Sequence, residues 1–463
     1  MKTRTGLFAG AVLSLGLVTG CNGDGDTDAG TKATGTPKAS ASASAAAQPV
    51  YKGELIPGLA AKPAWSLGPK DGEFYSCVGD ALDRPNHDPI CTVGDAVLLL
   101  QDLSPEAEDA DTELQTAHFV GHLYDAATGK ERKTFTVKCL YTPDDGTNTT
   151  YTPTPEKHIQ VGEWKDGSPA VLIRGCENTK ASGLKAASVK TVYTMYDPSG
   201  AELGSSALVG EEKVELPVVR GHVLLPEDDS DDRSYAPIGG GKELVLPAEF
   251  AEQTVIGTGQ GYVTEGDGVY DPVSVIDRNT GKTLWSTTEL TPPNAVVKQL
   301  DDDGEVDAEL YPLRGDQALL VWSASGSNDA VITTVDLPTG DTVAAGPQTT
   351  LEELTRDRRP VVSPDGKTAV VNFTDGAVAW NTQTGAELWR QAADEKDITP
   401  GLITPRGVLY AGLDNETGAL AMGTKELIGM LPMNTVPDEF TTNGYTLVQD
   451  TEGHFFAFKA EKA

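Results

Sequence analysis

Residues 277–285 read Asp-Arg-Asn-Thr-Gly-Lys-Thr-Leu-Trp, and residues 381–389 read Asn-Thr-Gln-Thr-Gly-Ala-Glu-Leu-Trp. One frame is written twice: an Asx residue, a Gly four positions on, and a Trp four beyond that. Alternating apolar residues precede each copy, Val273 and Val275 in one and Val378 and Trp380 in the other, and a short apolar run follows. Strand, Asx-Gly turn, strand is a β-hairpin. A hairpin that recurs along a chain marks a repeat architecture, in which each unit buries its apolar face against the next.

Degenerate copies extend the pattern. Asp125 to Gly129 has Lys133 where Trp is expected, Asp336 to Gly340 has Ala344 there, Asp197 to Gly200 is one residue shorter, and the copy near Gly423 has lost its Asx. Short runs such as Ala96–Leu100, Ala170–Ile173, Ala318–Trp322 and Gly407–Tyr410 precede these turns and read as buried strands. No long helical period is present, and Gly, Pro, Asp and Asn break the runs. Repeated sheets of about four strands around an axis form an all-β propeller. Hairpin markers near 125, 197, 240, 277, 336, 381, 423 and 459 predict eight blades. Seven is the alternative, with 210–250 as an acidic excursion. The Pro-rich stretch 141–157 reads as a surface loop. The apolar strand at Phe456–Lys459 has no partner after it, and Lys62–Leu67, with Trp65, matches the missing Trp-bearing strand. An N-terminal strand in the last blade would close the ring and remove its open edges.

The N-terminus reads as a targeting segment. Lys2 and Arg4 precede the small and apolar run Gly6–Val18, which is shorter than a bilayer span. Leu17-Val18-Thr19-Gly20-Cys21 resembles the lipobox of bacterial lipoproteins. That resemblance implies a signal peptide over 1–20, acylation of Cys21, and a cell-membrane, lipid-anchored location on the extracytoplasmic side. Residues 21–49 are Ala, Gly, Ser, Thr and Asp with almost no large apolar side chain, the composition of a disordered tether. The propeller domain is expected over 50–463.

Four cysteines follow Cys21: Cys77, Cys91, Cys139 and Cys176. In an exported chain they suggest two disulfides with three connectivities, of which the local one, Cys77–Cys91 and Cys139–Cys176, staples neighbouring strands. The net charge of −33 resides on the body, because the leader is basic and the tether nearly neutral. Such a chain is a poor partner for nucleic acid, which needs a basic surface, and the membrane is reached through the lipid anchor only.

The frame resembles the pyrroloquinoline-quinone-like repeat, Ala-x-Asp-x-x-x-Gly-Lys-x-x-Trp, of quinoprotein-dehydrogenase-like propellers. Asp277, Gly281, Lys282 and Trp285 match it, with Val275 for Ala. Ala379, Asn381, Gly385 and Trp389 match it with Ala386 for Lys. The resemblance implies that these residues and Trp65 dock one blade on the next and are structural. Quinoproteins of this superfamily hold their cofactor with adjacent cysteines, a Trp floor and Ca²⁺ bound by Glu, Asn and Asp. No two cysteines are adjacent here, so the quinone is not expected. Asp228–Asp232 and Asp301–Asp307 are acidic runs that could take Ca²⁺, but neither has EF-hand spacing. His118 and His122 fall about 13 Å apart on a strand, too far for one metal. No Gly-x-Ser-x-Gly elbow or Walker sequence occurs. The expectation is a non-catalytic binding scaffold of the cell envelope whose partner is a protein or glycan. The alternative is an envelope enzyme, quinoprotein-like or sugar-active, using an axial pocket.

Overall fold

The computed structural model describes residues 49–462 apart from internal segments. The longest of these are 76–90, 105–114, 142–153, 180–187, 209–217, 226–232, 247–253, 266–271 and 351–359. Residues 1–48, and with them Cys21 and the tether, lie outside the described residues, as does Cys77.

The described strands form eight antiparallel sheets. The first contains β2 (Phe74–Tyr75), β3 (Cys91–Val93), β4 (Ala96–Asp102), β5 (Gln115–Asp125) and β6 (Glu131–Tyr141). The second contains β7 (Ile159–Glu163), β8 (Pro169–Thr179), β9 (Ser188–Tyr196) and β10 (Glu202–Leu208). The third runs from β11 (Val218–Val219) through β12 (His222–Leu224) and β13 (Arg233–Pro237) to β14 (Leu244–Leu246). The fourth comprises β15 (Thr254–Gly257), β16 (Gly261–Glu265), β17 (Ser274–Asp277) and β18 (Thr283–Ser286). The fifth comprises β19 (Val306–Pro312), β20 (Gln317–Ala324), β21 (Asp329–Asp336) and β22 (Thr342–Thr350). The sixth follows with β23 (Val361–Val362), β24 (Thr368–Phe373), β25 (Gly376–Asn381) and β26 (Glu387–Arg390). The seventh has β27 (Ile398–Ile403), β28 (Val408–Leu413), β29 (Glu416–Ala421) and β30 (Leu427–Leu431). The eighth joins β31 (Tyr445–Gln449) and β32 (Phe455–Lys459) to β1 (Trp65–Leu67), with Trp65 opposite Ala457.

The second to seventh sheets are meanders, so their turns alternate between two ends. The first-to-second and third-to-fourth turns share one end, here the hairpin end. The second-to-third turns and the connections to the next sheet share the other, the crossover end. The second strand carries the heaviest apolar load. β4, β20 and β28 are almost wholly buried because both faces pack against neighbouring sheets.

Apolar clusters form the joints between sheets. One joins the first and second sheets through Leu98, Phe119, Val171 and Ile173. Another joins the second and third through Tyr193, Met195, Val223 and Ile238. The same holds from the fourth sheet to the fifth, the fifth to the sixth, the sixth to the seventh and the seventh to the eighth. Trp65, Leu447, Phe455 and Ala457 of the eighth sheet then pack on Val97, Leu99 and Tyr124 of the first.

Part of the Pro-rich stretch 141–157 differs from the surface loop expected of it. Pro155–His158 form a single helical turn, α1, with His158 buried. Its imidazole Nδ1 lies 2.9 Å from the Arg174 carbonyl oxygen, which satisfies a polar group inside the joint.

Candidate functional site: inter-sheet joints and the two ends

The hairpin of the repeat is built by its own side chains. Asn381 Oδ1 accepts the Gln383 N–H at 3.0 Å and the Thr384 N–H at 2.9 Å, and the Asn381 N–H closes the turn on the Ala386 carbonyl at 2.9 Å. Asp125 does the same with Ala127 and Thr128. Asp277 donates its N–H to Lys282 across the same turn, whose Gly281 lies outside the described residues. The extra turn residue shifts the register by one just before the Asx position in β5, β17, β21, β25 and β29, where that position is Ala421 in β29. The shift re-aims the side chain that follows the turn.

That side chain is the tryptophan, and it reaches the next sheet. Trp65 Nε1 donates to the Ala126 carbonyl at 2.8 Å, Trp285 Nε1 to Leu337 at 2.7 Å, and Trp389 Nε1 to Met422 at 2.7 Å. Each acceptor is the residue immediately after the Asx position of the neighbouring repeat. Its own N–H is already bonded to the first turn of that sheet, Ala126 to Asp95, Leu337 to Asp316 and Met422 to Gly407. The ring therefore completes a buried peptide group that would otherwise be half satisfied. The turn glycine lies against the same joint. A Cβ on Gly129 would sit 2.6 Å from the Trp65 ring, and one on Gly340 would sit 3.0 Å from the Trp285 ring. On Gly385 it would overlap the Ala345 carbonyl oxygen of β22.

Two joints solve the problem with other residues, and sequence reading missed both. In the seventh sheet the glycine position is Lys425, not Gly423. Lys425 adopts φ 63° and places its ammonium 6.0 Å from the Trp389 ring centroid. It bonds the Arg390 carbonyl at 2.9 Å and pairs with Glu395. The seventh sheet also has Gly429 where Trp stands in the fourth and sixth. The vacant volume is taken by Pro57 of the N-terminal segment, whose Cγ would be 3.0 Å from a Cβ on Gly429. Tyr410 Oη donates to the Pro57 carbonyl at 2.7 Å, Leu59 bridges Ala460, and Ile56 and Leu59 are buried. Residues 56–60 are thus a wedge between the seventh and eighth sheets. No local sequence signal announces it, because the frame is absent at both partners.

Arg132 ties the first sheet to the second. Its guanidinium bonds Asp95 at 2.6 and 2.9 Å, Asp125 at 2.6 Å and the Pro198 carbonyl at 2.9 Å. That hydrogen bond holds the Asp95 carboxyl below the usual carboxylate range. Burial pushes Asp125 up, but the bonds from Arg132 and Thr128 prevail and its net shift is also downward. Cys139 of β6 is bonded to Cys176 of β8, a covalent link across the same joint with Cα atoms 5.3 Å apart. Cys91 is also disulfide-bonded.

The two ends differ in charge. At the hairpin end the balance is closer: Asp95, Asp125, Asp166, Asp197, Glu243, Asp277, Asp316, Asp336, Asp341, Asp365 and Glu426 stand among Lys130, Lys165, Arg220, Lys242, Lys282, Lys367, Arg406 and Lys425. At the crossover end, Glu289, Glu305, Asp394, Glu395, Asp397, Asp414, Asp450 and Glu452 outnumber the bases Lys52, Lys157, Lys298 and Lys396. The chain that joins β4 to β5 adds Glu106, Glu108, Asp109, Asp111 and Glu113. The chain that joins β12 to β13 adds Glu227, Asp228, Asp229, Asp231 and Asp232, and neither contains a base. Lys180 and Lys185, between β8 and β9, and Arg356, Arg358 and Arg359, between β22 and β23, run against this trend. Of the acidic runs considered for Ca²⁺, 228–232 and 301–304 lie outside the described residues. Asp307 lies in β19, where burial pushes its carboxyl up and its own Oδ1 accepts the Ala308 N–H at 2.9 Å. His118 and His122 both lie on β5, and His122 is engaged by Glu131 and Gln101.

Residues 272–421 match a family model described as PQQ_2, outer membrane protein assembly factor BamB. No curated protein matches the chain. Among solved structures, BamB from Moraxella catarrhalis aligns at 14% identity over 82% of this chain and 95% of its own, with a TM-score of 0.38. The computationally designed Ika8 protein aligns at 12% identity over 80% and 95%, with a TM-score of 0.34. Dipeptidyl peptidase 4 of Porphyromonas gingivalis aligns at 11% identity over 74% and 58%, with a TM-score of 0.38. The sheets and their tryptophan joints make this chain a β-propeller, whose residues 272–421 match the pyrroloquinoline-quinone-like repeat model.

Proposed function

We propose that the protein is a lipid-anchored, extracytoplasmic and non-catalytic interaction scaffold of the cell envelope, a closed ring of eight blades. Its partner is an envelope protein that presents a basic surface to the crossover end. The observation that carries this reading is the unequal charge of the two ends. A chain that needed acidity only for solubility would have no reason to weight it toward one end. Concentrated carboxylates around a low-dielectric body raise the local field and steer a cationic partner. The repeat residues favour binding over quinone chemistry, because Trp65, Trp285 and Trp389 are engaged in holding sheets together. The matched family model is described as that of an outer membrane protein assembly factor. A lipid anchor at Cys21 and a tether over 22–49 would let the body stand off the membrane.

Cross-linking and affinity capture from intact cells tests the reading. The wild-type chain should capture a basic protein in a salt-sensitive manner. Asp394→Lys with Asp397→Lys should reduce that capture, while Asp316→Lys with Asp341→Lys, at the hairpin end, should not. Capture indifferent to the crossover-end reversal, or lost only on the hairpin-end reversal, would overturn it. Release of Cys21→Ser into the medium tests the anchor separately.

A further inference from the structure

One turn at the crossover end gathers three side chains that no inter-sheet joint uses. β31 and β32 are connected by Asp450-Thr451-Glu452-Gly453-His454. On an extended strand, positions i and i+4 stand about 13 Å apart. Here the chain folds back. Asp450 Oδ1 accepts the Glu452 and His454 N–H groups, each at 2.9 Å, and Gly453 adopts φ 80°. The second carboxylate oxygen, Oδ2, is left facing the imidazole at 3.0 Å from His454 Nδ1, and Glu452 Oε2 stands 3.6 Å from the same nitrogen. All three ligand atoms lie within 4.8 Å of one another.

These distances match the edges of a coordination polyhedron. Zinc–nitrogen and zinc–oxygen bonds of about 2.0–2.2 Å at tetrahedral angles separate neighbouring ligands by about 3.3–3.5 Å. The two nitrogen–oxygen distances bracket that edge. The orientation of the imidazole is the second sign. Nδ1 of His158 and of His222 each face a backbone carbonyl and that of His122 faces the single carboxylate of Glu131, whereas Nδ1 of His454 faces two carboxylates. The cluster also opens on a cavity of about 730 Å³, whose far wall is Tyr51 and its neighbours in the N-terminal segment.

We propose that Asp450 Oδ2, Glu452 Oε2 and His454 Nδ1 form a three-ligand site for a divalent metal of the zinc class, with the remaining position open to that cavity. A nitrogen beside two oxygens selects a borderline cation over Ca²⁺, which takes six or more oxygens. Three protein ligands with one open position is the arrangement that leaves a bound water or a partner's side chain in the fourth place. The cation would reside at the acidic end and beside the chain that runs toward the N-terminus.

The test is calorimetric titration of the chelator-washed, folded protein with ZnCl₂, and separately with CoCl₂ followed by visible absorption. The wild type should take up one equivalent and give the intense visible bands of low-coordinate cobalt. Glu452→Gln removes an exposed ligand that the fold does not use, and His454→Ala removes the nitrogen. Each should weaken the stoichiometric site at least tenfold and lose the cobalt bands, with an unchanged melting profile for Glu452→Gln. An excess of CaCl₂ should not compete. Absence of a stoichiometric site in the wild type, or wild-type affinity in both variants, overturns the proposal. So does displacement by Ca²⁺.

Discussion

Gly385 and Gly366 offer a matched pair of substitutions. Both glycines adopt φ 71°. Alanine at either position is held in the left-handed region, at a cost of about 1–2 kcal/mol. Their surroundings differ. A Cβ on Gly366 meets nothing within 4 Å, whereas one on Gly385 would overlap the Ala345 carbonyl oxygen of the neighbouring sheet. Ala345 cannot swing aside like a side chain, because β22 is paired along its length to β21. The sixth sheet must instead retreat from the fifth, loosening a cluster that includes Ile332, Val371 and Trp380. Overpacking against a tight core costs about 1–3 kcal/mol, with backbone as the obstacle favouring the upper part of that range. Gly366→Ala should therefore lose about 1–2 kcal/mol and Gly385→Ala about 3–5 kcal/mol. Urea unfolding at neutral pH is the assay, because in a chain this long each kcal/mol moves the melting temperature by only a few degrees at most. Equal losses in the two variants would show that the repeat glycine is there for its backbone angle alone. The account of the joint as glycine against the neighbouring sheet would then fail.

Trp389→Phe should lose about 1–3 kcal/mol by leaving the Met422 carbonyl without its indole donor, and Trp389→Ala at least about 3–5 kcal/mol through the added cavity. A phenylalanine variant as stable as the wild type would refute the hydrogen-bond part of that argument. Leu59→Ala should lose about 2–5 kcal/mol in urea unfolding, as a core residue does, although it lies in sequence beside the tether. A loss within about 0.5 kcal/mol, the range of ordinary surface changes, would show that the wedge does not bear on the fold. Asp95 and Asp125 titrate below their ordinary range when folded. Their contribution is complete above the unfolded carboxylate pKa of about 3.9 and is lost as pH falls through the lower folded values. The urea midpoint of the wild type should consequently fall more steeply between pH 5 and about pH 3 than that of Arg132→Met, and parallel curves would refute the coupling.

The hairpin frame was readable because turn chemistry is short-ranged. Asn381, Gly385 and Trp389 lie within one turn and one strand, and the same side chain that builds the turn aims the ring. Where the joint is made by distant residues, the frame gave no warning. Lys425 stands in the glycine position because its ammonium can reach Glu395 and the Trp389 ring, contacts that exist only after the sixth and seventh sheets meet. Pro57 is more than 350 residues from Gly429, and neither carries the repeat pattern. The Asp450–His454 cluster was hidden for another reason. Its spacing, read as strand, separates the ligands, and only the tight turn brings them together. The helical turn at Pro155–His158 was missed because proline there favours the first helical position as readily as a loop.

The pairing of Leu59 with Ala460 and of Trp65 with Ala457 has a consequence for how the molecule comes into being. A chain is made from its N-terminus, so the two halves of this joint are the first and last parts of the body to appear. At about 5–20 residues per second, the interval between them is roughly 20–80 s. Ile56 and Leu59 pass that interval without the seventh and eighth sheets they pack on, while the sheets between can form from contacts near in sequence. Closure is then the slowest kind of folding event, a contact that spans the whole length and gains nothing until the end is present. The apolar wedge is the segment most exposed to misassociation in that window. A catalyst or chaperone that shields the N-terminal segment would act on the yield of this protein without touching its stability.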